Sequence, residues 1–313
     1  MIFVPDAPAL RQLIEQADPG TADADPEVED GDEVRLADWR RLFPSPRRAA
    51  DRGVLDFEVY GDDWFPDFPA DVFERVSEAL DGGDVGEAVE APCGEPGRHH
   101  RCAWYLPLHA SAKSWGIYLR ETCILDRMPQ IAAGLSAPAL SVPLLKSLYR
   151  AAAFGLFLHE QFHHKIESLA LRLLIVENRL RYPTYDRAVY QKVRGTDDCL
   201  EEALANADAY RRMTEAAYAT WIGNSVTGAA KQRLSQSWRR SPAGYRKAGS
   251  YVASAPYRDA LALLEAQLHE GKRTPSRVAE WRHAANMHES LFSVTSNVYT
   301  VIPVGATPVM PLR

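Results

Sequence analysis

With 313 residues, 46% of them hydrophobic and 25% charged, the chain has an ordinary globular composition and enough apolar material for one large or two modest domains. A formal net charge of -6, with lysine and arginine scattered, leaves no basic footprint for a phosphate backbone and argues against nucleic acid as a partner. The longest apolar run, AAAFGLFL at 151–158, falls far short of the roughly 20 residues that cross a bilayer, so no membrane span is expected.

The N-terminus, MIFVPDAPALRQLIEQ, lacks the basic start, apolar run and small-residue cleavage site of a secretory signal. A cytoplasmic location is therefore expected, with Cys93, Cys102, Cys123 and Cys199 reduced rather than paired. LRQLIEQ predicts a short helix, and residues 17–33, rich in Asp, Glu, Pro and Gly, predict a flexible acidic segment that cannot offset its own ordering entropy. This region, 1–47, is followed by a stretch at 48–99 whose aromatic run FEVYGDDWFPDFP gives no clear pattern. In CGEPGRHHRC, Cys93, His99, His100 and Cys102 could form a small metal knuckle, but structural zinc sites use ligand pairs two to four residues apart, and a polar loop is the simpler reading.

The segment 100–304 carries the readable core, ahead of a short tail at 305–313. AWYLPLH and WGIYLRETCIL, separated by small polar residues, predict a hairpin, with His109 in its loop. Ser141, Val142 and Pro143 then open an uninterrupted run of helix formers to about Leu180, as an N-cap with proline in the first turn requires. RYPTYD reads as a loop before a second long helix in CLEEALANADAYRRMTEAAYATWI. Helical patterns recur at about 229–239, 256–270 and 275–292, and SVTSNVYTVIPV alternates like a strand.

HEQFH lies inside the first long helix. Histidines at i and i+4 stand about 6 Å apart along the axis and about 40° apart around it, so His159 and His163 can reach one ion. Glu160 turns about 100° from His159, beside the ion, where a carboxylate can activate a water instead of ligating. His164 projects elsewhere and is expected to support the site from behind or to meet solvent.

A hydrolytic zinc needs a third protein ligand and an open position. Glu202 shares a helix face with Asn206, so the acid can ligate while the amide hydrogen-bonds a histidine. Glu201 and Asp198 are the alternatives, and Glu167 and Glu177 read better as salt-bridged helix surface. HEQFH followed by the helical Glu-x-x-Ala-Asn at 202–206 resembles the gluzincin metallopeptidases, including thermolysin-like and ImmA/IrrE-type enzymes, over residues 156–206. The resemblance implies His159, His163 and Glu202 as zinc ligands and Glu160 as general base, although the 38 residues between His163 and Glu202 exceed the thermolysin spacing. GTDD at 195–198 is similar to the aspzincin motif, which would make Asp198 the ligand.

The expected architecture is thus α+β and helix-rich: a zincin-like core with an active-site helix, a downstream ligand helix and a small antiparallel sheet. The expected activity is zinc-dependent hydrolysis of a protein or peptide substrate, in regulation or defence, with a regulatory partner protein conceivable. Tyr210, His283 and His288 are the candidate donors to the developing oxyanion. The hairpin could offer an edge on which substrate pairs. The rival readings are a non-catalytic zinc-binding scaffold and a zinc hydrolase of non-peptide amides or esters.

Overall fold

A computed structural model of the chain describes residues 70–83, 102–109, 116–136, 139–215, 219–220, 222–282 and 299–302. The segments LRQLIEQ, 17–33 and FEVYGDDWFP, the residues Cys93, His99 and His100, and the tail 305–313 lie outside these described residues.

The organising element is the helix opened by Ser141. Helix α1 (Ala70–Leu80), strands β1 (Ala103–Leu106) and β2 (Gly116–Arg120), and helix α2 (Glu121–Ala132) precede it, and it runs as α3 from Val142 to Glu177. The Ser141 hydroxyl accepts the Leu144 N–H at 3.4 Å, and Pro143 sits in the first turn, where a missing N–H leaves no bond unmade. Asn178 takes a left-handed conformation (φ 51°) and ends the helix. Apolar residues bury it on nearly every side, so it is a central spine and not an amphipathic surface helix.

β1 and β2 form the expected hairpin, pairing antiparallel from Ala103 opposite Leu119 to Leu106 opposite Gly116. The second strand stops at Arg120, however, and ETCIL belongs to α2: a short apolar run fits strand and buried helix equally well. β3 (Tyr299–Ile302) joins the far side of β2 in parallel, so the sheet has the order β1-β2-β3 and is mixed, not purely antiparallel. Among the described residues β1 is an edge strand.

The segment RYPTYD, expected as a loop, is instead helical. Tyr182–Tyr185 forms α4 with Pro183 in its first turn, Asp186–Tyr190 a π-helical turn, and Gln191–Val193 the short α5. Helix α6 (Leu200–Arg212) is shorter than its sequence pattern suggests. Helices α7 (Asn224–Ser237), α8 (Ser254–Glu270) and α9 (Val278–Trp281) complete the array.

Two apolar cores meet along α3. The first gathers α1, β1, β2, α2, α7, Ala209 of α6 and the α3 residues as far as Leu158; the second begins at Phe162 and gathers other apolar residues of α6, α8 and the helical turns after Tyr182. Fully buried side chains such as Phe154, Phe157 and Phe162 contribute about 1.5–3 kcal/mol each. The HEQFH histidines therefore sit where the two cores abut. No helix of the described residues is long and apolar enough to cross a membrane.

The expectation of reduced cysteines is overturned for one pair. Hairpin pairing sets Cys102 against the end of β2, and the first turn of α2 returns Cys123 beside it, where the two form a disulfide with a Cα–Cα distance of 5.4 Å. Sequence spacing gave no sign of this, because the 21-residue separation is closed by topology. Cys199 is free and buried. A loop of this size implies that the bond contributes about 3 kcal/mol. Cys102→Ser should accordingly lower the melting temperature, and reductant should produce the same shift in the wild type and none in the variant.

Candidate metal centre

Helix α6 packs across α3, and its partners there stay within residues 159–165. Its first turn reaches His163 through Glu201, its middle reaches His159 through Asn206, and its last turn reaches Gln161 through Arg212. Lys165 clamps the pair by donating to Asp208 at 3.0 Å, and Asp208 also accepts from Tyr257 of α8 at 2.7 Å. This packing converts a sequence gap of 38 residues into direct contact between the two helices.

Three donor atoms face one another. His159 Nε2 and His163 Nε2 are 3.4 Å apart, and Glu202 Oε2 lies 3.3 Å from the first and 3.5 Å from the second. Donors about 2.0–2.2 Å from a single ion at tetrahedral angles stand about 3.3–3.6 Å from each other, so this triangle has the size that one zinc requires. Glu202 Oε2 is buried and has no hydrogen-bond partner among the described residues, a costly state for a carboxylate oxygen unless a cation shares it.

The outer hydrogen bonds fix the inner geometry. His159 Nδ1 donates to Asn206 Oδ1 at 3.0 Å and His163 Nδ1 donates to Glu201 Oε1 at 2.6 Å, which leaves both Nε2 lone pairs aimed at the shared point. Glu201 in turn accepts from Tyr185 at 2.5 Å, and the other oxygen of Glu202 accepts from Tyr190 at 2.6 Å. Burial opposes charge on His163, yet the Glu202 and Glu201 carboxylates outweigh it and hold its pKa well above the usual imidazole value. Burial likewise opposes charge on Glu202, but His163 and His159 hold its carboxyl well below the usual range. The pocket thus calls for positive charge, which a divalent ion supplies more fully than a proton.

Glu160 is buried beside these groups, and burial raises its pKa above the ordinary carboxylate value, against the pull of His159 and His163. It also accepts a backbone hydrogen bond from Tyr105, which ties it to β1. Over His159 lies the ring of Tyr245, stacked at 5.7 Å and an interplanar angle of 14°. Tyr245 opens a 3₁₀ segment, Tyr245–Tyr251, directly after Gly244, whose φ of 93° suits glycine.

The other sequence candidates fall elsewhere. Tyr210 lies near the far end of α6, tilted against Trp238 with Lys231 over its face. Asp198 is 68% exposed at its side chain and faces Arg273 at 3.6 Å, and Glu201 binds His163 on the nitrogen turned away from the triangle. His283 and His288 lie outside the described residues. Glu177 keeps its expected role, pairing with Arg181 and His269. Tyr185, Tyr190 and Tyr245 were not foreseen: Tyr185 stands in RYPTYD, read as loop, Tyr190 four residues beyond that segment, and the helical turns of 182–193 bring both to α6.

Glu167 is no surface residue, as the sequence suggested, but is completely buried. It accepts the backbone N–H groups of Leu108 and His109 at 3.0 Å each, His109 Nδ1 at 2.5 Å and the hydroxyl of Tyr105. His109 is consequently buried against it, and His164 lies behind Tyr105 with its pKa pushed down by burial to about 4. Burial would raise the pKa of Glu167, but the bonds from His109 and Tyr105 prevail and lower it. Stability from such a group is present above the ordinary carboxylate range and lost as pH falls through the depressed folded value. Glu167→Gln should therefore destabilise the protein at neutral pH and weaken the acid dependence of its denaturation midpoint; an unchanged acid limb would remove Glu167 as its source.

Comparison with protein-family models, curated proteins and solved structures found no match to this chain.

Proposed function

We propose that the protein is a zinc-dependent peptidase of gluzincin type, with His159, His163 and Glu202 holding the metal and Glu160 acting as general base. The observation that carries this reading is the triangle of three donors with edges of 3.3, 3.4 and 3.5 Å, one of them a buried carboxylate oxygen without a hydrogen-bond partner among the described residues. The zincin-like core belongs to the same proposal, resting on the packed pair of α3 and α6 with β1 beside it.

A bound zinc supplies a Lewis acid for the substrate carbonyl and a water of lowered pKa. The chain does the rest. Asn206 and Glu201 hold each imidazole in the tautomer and orientation that keeps Nε2 available. With the metal held by His159, His163 and Glu202, Glu160 would accept the water's proton and return it to the leaving amine, so that the peptide C–N bond would break without a covalent intermediate. Tyr105, bonded to Glu160 through its backbone, fixes the base relative to the edge strand on which an extended substrate would pair.

A site of this kind needs no fourth protein ligand, and a purely structural zinc needs no acid beside its ligands, which favours catalysis over scaffolding. The test combines elemental analysis of the purified protein with a peptide-library cleavage assay. About one zinc per chain is expected, with cleavage abolished by chelation and restored by added zinc. Zinc without cleavage of any peptide would reduce the site to metal binding alone.

A further inference from the structure

A cleft of about 820 Å³ lies along α3 on the N-terminal side of the metal group. Ala152 and Gly155 form part of its wall, and Gly155 precedes His159 by one turn, about 6 Å along the axis and about 40° around it. Ser241 and Pro242 also line the cleft, and the chain then proceeds to Tyr245, stacked on His159. Cleft and metal group are thus neighbours along two separate stretches of chain.

The sheet edge supplies a third connection. Cys102 and Arg120 line the cleft at one end of the hairpin, where the Arg120 N–H bonds the Cys102 carbonyl at 2.9 Å. In an antiparallel pair this alternation turns the backbone groups of Ala103 and Tyr105 away from β2, the side on which the Tyr105 N–H meets Glu160. Tyr105 is the residue bonded to Glu160, so three residues of extended chain, about 10 Å, separate the base from the cleft.

The cleft carries the opposite charge to the molecule. Arg120, Arg127, Arg233, Arg239 and Arg240 line it against a single acid, Asp126, which is already bound by Arg75 at 2.9 Å, in a chain of net charge -6. Arg120 is the most telling. Its guanidinium lies over Trp104, and its Nε is buried without a hydrogen-bond partner among the described residues. A cationic donor removed from water wants an anionic acceptor, and a carboxylate matches the guanidinium fork.

We infer that this cleft is a specificity subsite for acidic side chains of a peptide substrate, about three residues from the bond that is cut. The inference rests on the hydrolase proposed above. The probes are two fluorescein-labelled extended peptides, one alternating Glu with Ala and one in which Gln replaces every Glu, titrated against full-length, zinc-supplemented Glu160→Gln protein. The Glu peptide should bind at least tenfold more tightly at low salt, with the advantage shrinking as salt rises. Adding Arg120→Gln should remove most of that advantage. Because Arg120 is partly buried, the pair Arg239→Gln and Arg240→Gln at exposed positions provides a second reading, expected to reduce the advantage severalfold without disturbing the fold. Equal affinity for both peptides overturns the inference, as does a preference undiminished by either set of substitutions. Should wild-type protein cleave no peptide while the arginine-dependent preference persists, the hydrolase reading falls and the acidic-peptide cleft stands.

Discussion

Alanine at position 202 should strip the protein of zinc. Glu202 gives the triangle its only negative donor, and its Oε2 has no hydrogen-bond partner among the described residues to retain it. Removing one of three ligands leaves two neutral imidazoles, too few to hold the ion at ordinary concentrations. The neighbouring acids separate cleanly in this test. Glu201→Ala and Asn206→Ala each release one histidine from its outer hydrogen bond and should weaken zinc binding about 10 to 100-fold. Asp198→Ala removes an exposed side chain paired only loosely with Arg273 and should leave zinc binding unchanged. Competition against a metallochromic chelator measures the ranking. Loss of zinc in the Asp198 variant with retention in the Glu202 variant would transfer the ligand role and defeat the helix-pair assignment.

Glu160→Gln should retain zinc and fold while losing about 10²–10⁴-fold in turnover, the usual contribution of a positioned proton acceptor. The amide has nearly the same shape, so the bond from the Tyr105 backbone can persist. What disappears is the lone acceptor for the water's proton. The pH–rate profile adds a second signature: the base must be ionised, so an acid limb due to Glu160 should vanish in the variant. Near-normal turnover would remove Glu160 as base, whereas simultaneous loss of zinc would make it a ligand.

Local rules made the cluster of His159, His163 and Glu202 legible. Ser141 and Pro143 announced the start of α3, the i, i+4 spacing put His159 and His163 on one face, and the four-residue spacing of Glu202 and Asn206 put both against those histidines. What stayed hidden depends on topology. The Cys102–Cys123 bond exists because a hairpin and a helical turn meet, and no count of intervening residues encodes that. Glu167 was misread because a carboxylate four residues after His163 looks like solvated helix surface until the loop following β1 folds down and presents its N–H groups. Pro183 made Tyr182–Tyr185 look like loop, although proline is welcome in a first helical turn, and with that reading Tyr185 and Tyr190 lost their place beside Glu201 and Glu202. The five arginines of the cleft come from β2, α2, α7 and the turn after it, too scattered to register as a basic motif.

The residue before Tyr245 sets a narrow limit on how this sequence can drift. At Gly244 any side chain would be strained by the backbone angle, and its Cβ would come to 3.0 Å from the Cβ of Cys199 and 3.1 Å from the carbonyl oxygen of Thr196. Both obstacles belong to the turn that launches α6, so they cannot yield without shifting Glu201 and Glu202. Mutational scanning of 241–251 should therefore find a chain forgiving at most positions and closed at this one, where even alanine unseats an aromatic ring and a carboxylate pair together.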